Sequence, residues 1–190
     1  MQSTGTVRSV NISPKKGQSK SSTSCITIKE NWGVVGDAQA GMLEDSRHRS
    51  WAHRQVSLLA WESICKAREV GLDVKEGDFA ENITTEGIDL LALPLGTIVG
   101  IGSDVQLELS QIGKVCHTKC AIYHLMGDCI FPREGIFFVV RNGGEVKPGD
   151  GITVIKMGNG TCDATPQAAL DELAARDAQE CAKAENTPAL

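Results

Sequence analysis

Apolar residues in this chain fall in short, β-branched runs separated by glycine-rich turns, and one run alternates strictly. The clearest run is Asp104–Ser110. It places Val105, Leu107 and Leu109 on one face and Asp104, Gln106, Glu108 and Ser110 on the other, the period-two pattern of a half-buried strand. Thr97–Ile101 precedes it across Gly102-Ser103, a hairpin-type turn. Gly5–Ile12, with β-branched Val7, Val10 and Ile12, is a further strand. The turn residues Ser13-Pro14-Lys15-Lys16-Gly17 break it, and Ser24–Lys29 resumes through Ile26 and Ile28. Asn31–Gly41 is polar and glycine-punctuated, hence loop, and Gln55–Leu59 is a short strand. Gly135–Arg141 and Ile152–Lys156 are strands joined through Asn142-Gly143-Gly144 and Lys147-Pro148-Gly149-Asp150. Trp61–Val70 alone in this body has helical composition, and Gly71 supplies its stop. Six or seven short strands with one or two helices predict a mainly β domain, a barrel or closely packed sheets.

The character changes after Met157. Gly158-Asn159-Gly160 is a flexible break, and Thr165-Pro166 can cap and open a helix running to Ala182. Its large apolar residues are only Leu170 and Leu173, so it is expected to dock weakly. The expected division is therefore a β-barrel domain over residues 1–157 and an acidic tail, weakly helical or disordered, over 158–190. Removing that tail is expected to expose little core.

Composition narrows the picture. An apolar content of 41% suffices for one core, and an aromatic content of only 4% puts that core on Val, Ile and Leu. No apolar run approaches the ~18–20 residues of a membrane span, and the first ten residues lack the apolar stretch of a signal peptide. A cytoplasmic protein with no membrane partner is the expectation. The tail holds six acidic against two basic residues, −4 of the net charge of −5, whereas Arg8, Lys15, Lys16, Lys20 and Lys29 all precede the first acid, Glu30. A locally basic start on a near-neutral body suits a small anionic ligand and not nucleic acid, which wants a broad basic face. Seven cysteines, an odd number with no secretory leader, read as thiols.

Chemistry concentrates in Gly113–His124, where Cys116, His117, Lys119, Cys120 and His124 follow directly on the alternating strand, with Cys129 and Arg133 just beyond. Cationic neighbours favour thiolate, which is both nucleophile and soft-metal ligand. From the residues alone four readings stay open. Cys116, His117, Cys120, His124 and Cys129 are a pool for structural zinc, at an unusual spacing. A nucleophilic cysteine would need His117, His124, His48 or His53 as base. The cysteines are otherwise ordinary reduced thiols, or one of them ligates a cofactor metal or sulfur.

Several blocks together resemble a known family. Gly36-Asp37-Ala38, Arg54–Leu59, Gly77-Asp78-Phe79-Ala80-Glu81-Asn82 through Gly87, the cysteine segment, Pro132–Phe137 and Gly143–Asp150 look like the short bacterial MOSC domain, named after the C-terminal domain of molybdenum cofactor sulfurase. The likeness runs from about Val7 to Ile155. It implies a β-barrel related to the barrel domain of pyruvate kinase. It also implies binding of molybdenum cofactor or its sulfur through a cysteine thiolate, in cofactor sulfuration, sulfur transfer or a cofactor-dependent reaction. A reductase, a sulfurase or another protein of the cofactor pathway would be the partner. Lys119-Cys120-Ala121-Ile122 fits the family's pattern of basic residue, ligand cysteine and aliphatic stretch, so the resemblance makes Cys120 the metal ligand, with Cys116 as the alternative. Arg133, Lys15, Lys16, Lys20 and Arg54 would supply anion donors, arginine as a fork and lysine as a point charge, beside His117. Phe79, Glu81 and Asn82 either meet a pterin edge or brace their own loop, and Asp37 is read as structural. His48 and His53 are expected to be solvent-exposed, and Gln39 stands where family loops often carry histidine. The pyridoxal-phosphate domain of full sulfurases has no counterpart here, so the chain is not expected to generate sulfane sulfur by that chemistry. A catalytically silent binding or interaction module on the same barrel is the competing expectation.

Overall fold

In a computed structural model of the chain, which describes residues 4–42, 44, 50–116, 123–124 and 129–185, the short apolar runs become the staves of a closed barrel. In chain order the strands are β1 (Thr4–Ile12), β2 (Ser21–Thr23), β3 (Ile26–Lys29), β4 (Gly33–Val34), β5 (Val56–Ala60), β6 (Ile83–Glu86), β7 (Ile98–Ile101), β8 (Val105–Ile112), β9 (Ile136–Asn142), β10 (Gly144–Val146) and β11 (Gly151–Lys156). Helices α1 (Trp61–Glu69), α2 (Phe131–Glu134) and α3 (Gln167–Glu185) accompany them. The barrel runs β1-β11-β7-β8-β9-β5-β6 and closes on β1, while β2 extends the sheet beyond β1 and β10-β3-β4 form a separate sheet. Its strand pairs are antiparallel except β5–β6. That parallel pair requires a crossover, which α1 begins.

Two apolar cores follow from the pattern. Val7, Val10, Leu58, Ile83, Val99, Leu107, Leu109, Phe138 and Ile152 fill the barrel. A second cluster outside it packs Leu59 against Ile64 and Ala67 of α1, with Phe79, Phe131 and Phe137. Strand β5 is buried at every residue because its alternate side chains enter the two cores.

The alternation of β8 holds as far as Leu109 and then breaks. A bulge between Leu109 and Gln111 buries Ser110 completely, although its parity placed it with the polar face. The Ser110 hydroxyl lies within donating distance of the His53 carbonyl (2.7 Å) and the Phe137 carbonyl (3.0 Å). Cys25, expected inside a strand, instead precedes β3 and is half-buried.

The segment after Met157 is attached to the barrel mainly through polar contacts. Gly158 N donates to Thr97 Oγ1 (3.0 Å), Gly160 N to Leu95 O (3.1 Å), and Thr165 Oγ1 to the bulged Ser110 O (2.6 Å). Cys162 is buried, and burial pushes its thiol pKa up. Ending the chain at Met157 should therefore cost about 1–3 kcal/mol, the size of two or three hydrogen bonds with a little apolar burial. An unchanged thermal midpoint for that truncation would show that the attachment contributes nothing. Among the described residues, no helix is long and apolar enough to cross a membrane.

Candidate functional site

The bulge turns Gln111 inward at the end of β8, where the cysteine segment begins. Its side chain is fully buried, and Nε2 donates to Gly113 O (2.8 Å). Its Oε1 must therefore be the acceptor, and it meets His53 Nε2 (2.6 Å) and Arg54 Nε (3.1 Å). The histidine accordingly carries its proton on Nε2. His53 is only 2% exposed, which corrects the expectation of a solvent-facing loop histidine. Burial lowers its pKa below the ordinary histidine range; the Gln111 bond opposes that shift and neighbouring Arg54 adds to it. The Ser50 backbone likewise opposes the shift.

Arg54 lies over the Phe137 ring, 5.4 Å from its centroid, with one edge held by Gln111. Burial lowers its pKa, while the Glu172 carboxylate of α3 and the Cys116 sulfur act in the opposite sense. Gln111 links the guanidinium to Gly113 O, three residues before Cys116, whose side chain is exposed. Among the described residues, Nε makes its only hydrogen bond, leaving the terminal nitrogens of the fork open to an anion.

The base of this rim is tightly built. Gly113 N donates to Gly135 O (2.7 Å) and Lys114 N to Pro132 O (2.9 Å). At Gly113, φ is +70° and a Cβ would stand 2.6 Å from Pro132 O, so only glycine fits. Lys114 Nζ lies 5.2 Å from the centroid of the Phe131 ring. Arg133 is exposed on α2, and Cys129 is buried in the second apolar cluster. His117 and Cys120 fall outside the described residues, as does His48. Among the described residues no group of three or more His, Cys, Asp or Glu is placed to hold a metal.

The Gly77–Asn82 block lies in a different, dry polar network. Phe79 packs in the second core. Asn82 Oδ1 accepts from Ser57 N (3.2 Å) and Oγ (3.0 Å), and Nδ2 donates to Asp37 Oδ2 (3.2 Å) and Asn11 O (3.4 Å). The amide is fully committed inside the fold. Glu81, 0% exposed, accepts at Oε1 from Gly77 N (2.6 Å) and Thr84 Oγ1 (2.8 Å). Its Oε2 is buried with no partner among the described residues, and burial raises its pKa to about 7. Lys20, read with the surface anion donors, is buried and pairs with Asp37 Oδ2 at 2.7 Å. Lys15 and Lys16 stay exposed on the turn after β1.

Of the residues singled out in the sequence, Arg54 is tied through Gln111 to Gly113, at the start of the segment that carries Cys116. The structure adds His53 and Gln111, which sequence reasoning missed or misplaced. One signal was available for Gln111: it shares the apolar parity of Val105, Leu107 and Leu109, where a polar side chain has to find partners.

A family model described as MOSC domain matches residues 44–153. Solved structures share the architecture. The YuaD protein from Bacillus subtilis is 18% identical over 82% of this chain and 97% of its own, with a TM-score of 0.64. YiiM from Geobacillus stearothermophilus is 18% identical over 90% of each chain, with a TM-score of 0.59. YiiM from Escherichia coli is 15% identical over 87% of this chain and 76% of its own, with a TM-score of 0.59. No curated protein matches.

Proposed function

The chain belongs to the MOSC domain family, associated with molybdenum cofactor, and from that premise we propose that it binds the cofactor or its sulfur through a thiolate of the Cys116–Cys120 segment. The observation that carries this reading is the half-buried Arg54, tied through Gln111 to Gly113 at the start of the segment with the exposed Cys116, and with the terminal nitrogens of its fork unpartnered among the described residues. The donor set fits the group: a thiolate is a soft-metal ligand, and guanidinium grips phosphate with two parallel bonds. When bound, the cofactor supplies a metal able to hold sulfur and exchange electrons. Gln111 orients Arg54 by accepting at Nε, and His53, kept neutral by burial, holds Gln111 from the other side without adding a competing charge. Cys120 remains the ligand that the resemblance favours, and Cys116 the one that Arg54 favours. Glu81 and Asn82 belong, in this reading, to the frame behind the site. A reductase or sulfurase partner and a cytoplasmic setting are parts of the same proposal.

Protein prepared anaerobically from a molybdenum-replete host should carry molybdenum and pterin in near-equal amounts. Either Cys116→Ala or Cys120→Ala should lose both, and Arg54→Lys, which keeps the charge and loses the fork, should weaken retention about tenfold. Wild-type protein with neither metal nor pterin would favour the silent interaction module.

A further inference from the structure

The last helix reaches back to the site. Along α3, Ala169 is buried and Leu170, Glu172, Leu173 and Arg176 are half-buried, while the residues described from Asp177 to Glu180 are exposed. The spacing is that of one helical face, and Arg176 is the last residue on it among the described side chains. There its Nη1 donates to Pro132 O (2.6 Å) and to Lys114 O (3.3 Å). One turn earlier, Glu172 is the carboxylate that acts on Arg54. Pro132 O thus receives two donors, Lys114 N and Arg176 Nη1, and a Cβ on Gly113 would lie 3.4 Å from the same Nη1. The helix itself lies beyond the stretch matched by the family model, which ends at residue 153.

We propose that Arg176 is a positioning residue: by bridging the Lys114 and Pro132 carbonyls it holds the chain leading into Cys116 against α2, and so keeps the thiol beside Arg54. The inference deepens the proposed function and rests on its pairing of Cys116 with Arg54. It makes the C-terminal helix part of the site. A charged donor is the suitable tool here, because two carbonyls brought together repel, and a charge-assisted bond offsets that more strongly than a neutral one.

The test compares wild type with Arg176→Met, which keeps the aliphatic stem and loses the donor, and with Arg176→Lys, which restores a charged point donor. Two measurements are taken at low salt. The first is the ratio of alkylation rates at Cys116 by anionic iodoacetate and neutral iodoacetamide, resolved by peptide mass. The second is amide hydrogen exchange over residues 113–116. In wild type the ratio should exceed that of glutathione about threefold to fivefold, the size of one nearby, partly screened positive charge. Arg176→Met should bring the ratio close to that of Arg54→Ala and speed exchange over 113–116 while the barrel strands stay protected. Arg176→Lys should recover most of both. A ratio that falls without faster exchange would make Arg176 a charge and not a clamp, overturning the inference, as would no change in either. A wild-type ratio no higher than that of glutathione would instead remove the Arg54–Cys116 pairing on which the proposed function rests; exchange would still report the clamp.

Discussion

Asp37→Ala should destabilise the fold by about 3–5 kcal/mol, because it leaves a lysine charge in a dry site without its partner. The Lys20 and Asp37 side chains are 3% and 2% exposed, and Nζ meets Oδ2 at 2.7 Å. The carboxylate also accepts from Asn82 Nδ2 (3.2 Å), Ser13 N (3.2 Å) and Gln39 N (3.0 Å), so its loss leaves three further donors without an acceptor. Burial lowers the pKa of Lys20, and Asp37 is the first group that opposes the shift. Without Asp37 the lysine must shed its proton or admit water. At about 2–4 °C per kcal/mol for a chain of this size, the thermal midpoint should fall by roughly 6–20 °C. Lys20→Met combined with Asp37→Leu should recover much of that loss, since matched apolar groups remove the desolvation cost along with the attraction. A single-variant loss below about 1 kcal/mol would show the pair to be hydrated, contrary to its burial.

The same pair shows where reading the sequence stops. Strand β8 was legible because its alternation is local, and β1, β9 and β11 because β-branched and aromatic residues gather in short runs bounded by turn residues. Strand β6 escaped notice: Ile-Thr-Thr-Glu is short, and its first three residues are all buried, so it presents no polar face to alternate with. Barrel closure by β1 on β11 and the parallel pairing of β5 with β6 join residues far apart in the chain, which no local period encodes. Polar sequence neighbours make Lys20 look like an anion donor and His53 like a solvent-facing residue. Their burial depends on Asp37, 17 residues away, and on Gln111, 58 residues away. The last helix offers little apolar signal because Arg176 meets backbone carbonyls, groups that every residue has and that no sequence pattern marks. At the site, Arg54 and the cysteine segment were legible as chemistry, whereas the carriers of their orientation were not.

Glu81→Gln should remove a pH dependence of stability worth about 3 kcal/mol, the upper value for a fully buried carboxyl moved from 4.5 to about 7. The sign follows from which state holds the proton. Below about pH 4.5 folded and unfolded chains both carry it, and the full contribution is present. Between there and about pH 7 the unfolded chain has released the proton while the folded chain retains it, so stability falls as pH rises, by at most ~1.4 kcal/mol per unit. Above pH 7 the slope vanishes, with the carboxylate charged in both states and the burial cost borne in full. Burial is the largest cause of the raised pKa; the Gly77 N and Thr84 Oγ1 bonds and Lys20 oppose it. His53 works the other way: its lowered pKa means that the unfolded chain protonates first as pH drops below about 6.5, so its contribution grows with rising pH. The two slopes partly cancel in wild-type protein, which would make its own profile look flat. The difference between wild type and Glu81→Gln isolates Glu81, because His53 titrates in both. The amide has an unpartnered Nε2 where Oε2 stood, so the variant is less stable at pH 5; the gap should then close or reverse by pH 8. Urea midpoints for both proteins at pH 5, 6, 7 and 8 measure this directly. Curves that stay parallel within about 0.5 kcal/mol across that range would mean that Glu81 is already ionised in the fold at pH 5, with its charge compensated by Lys20 and the Gly77 amide.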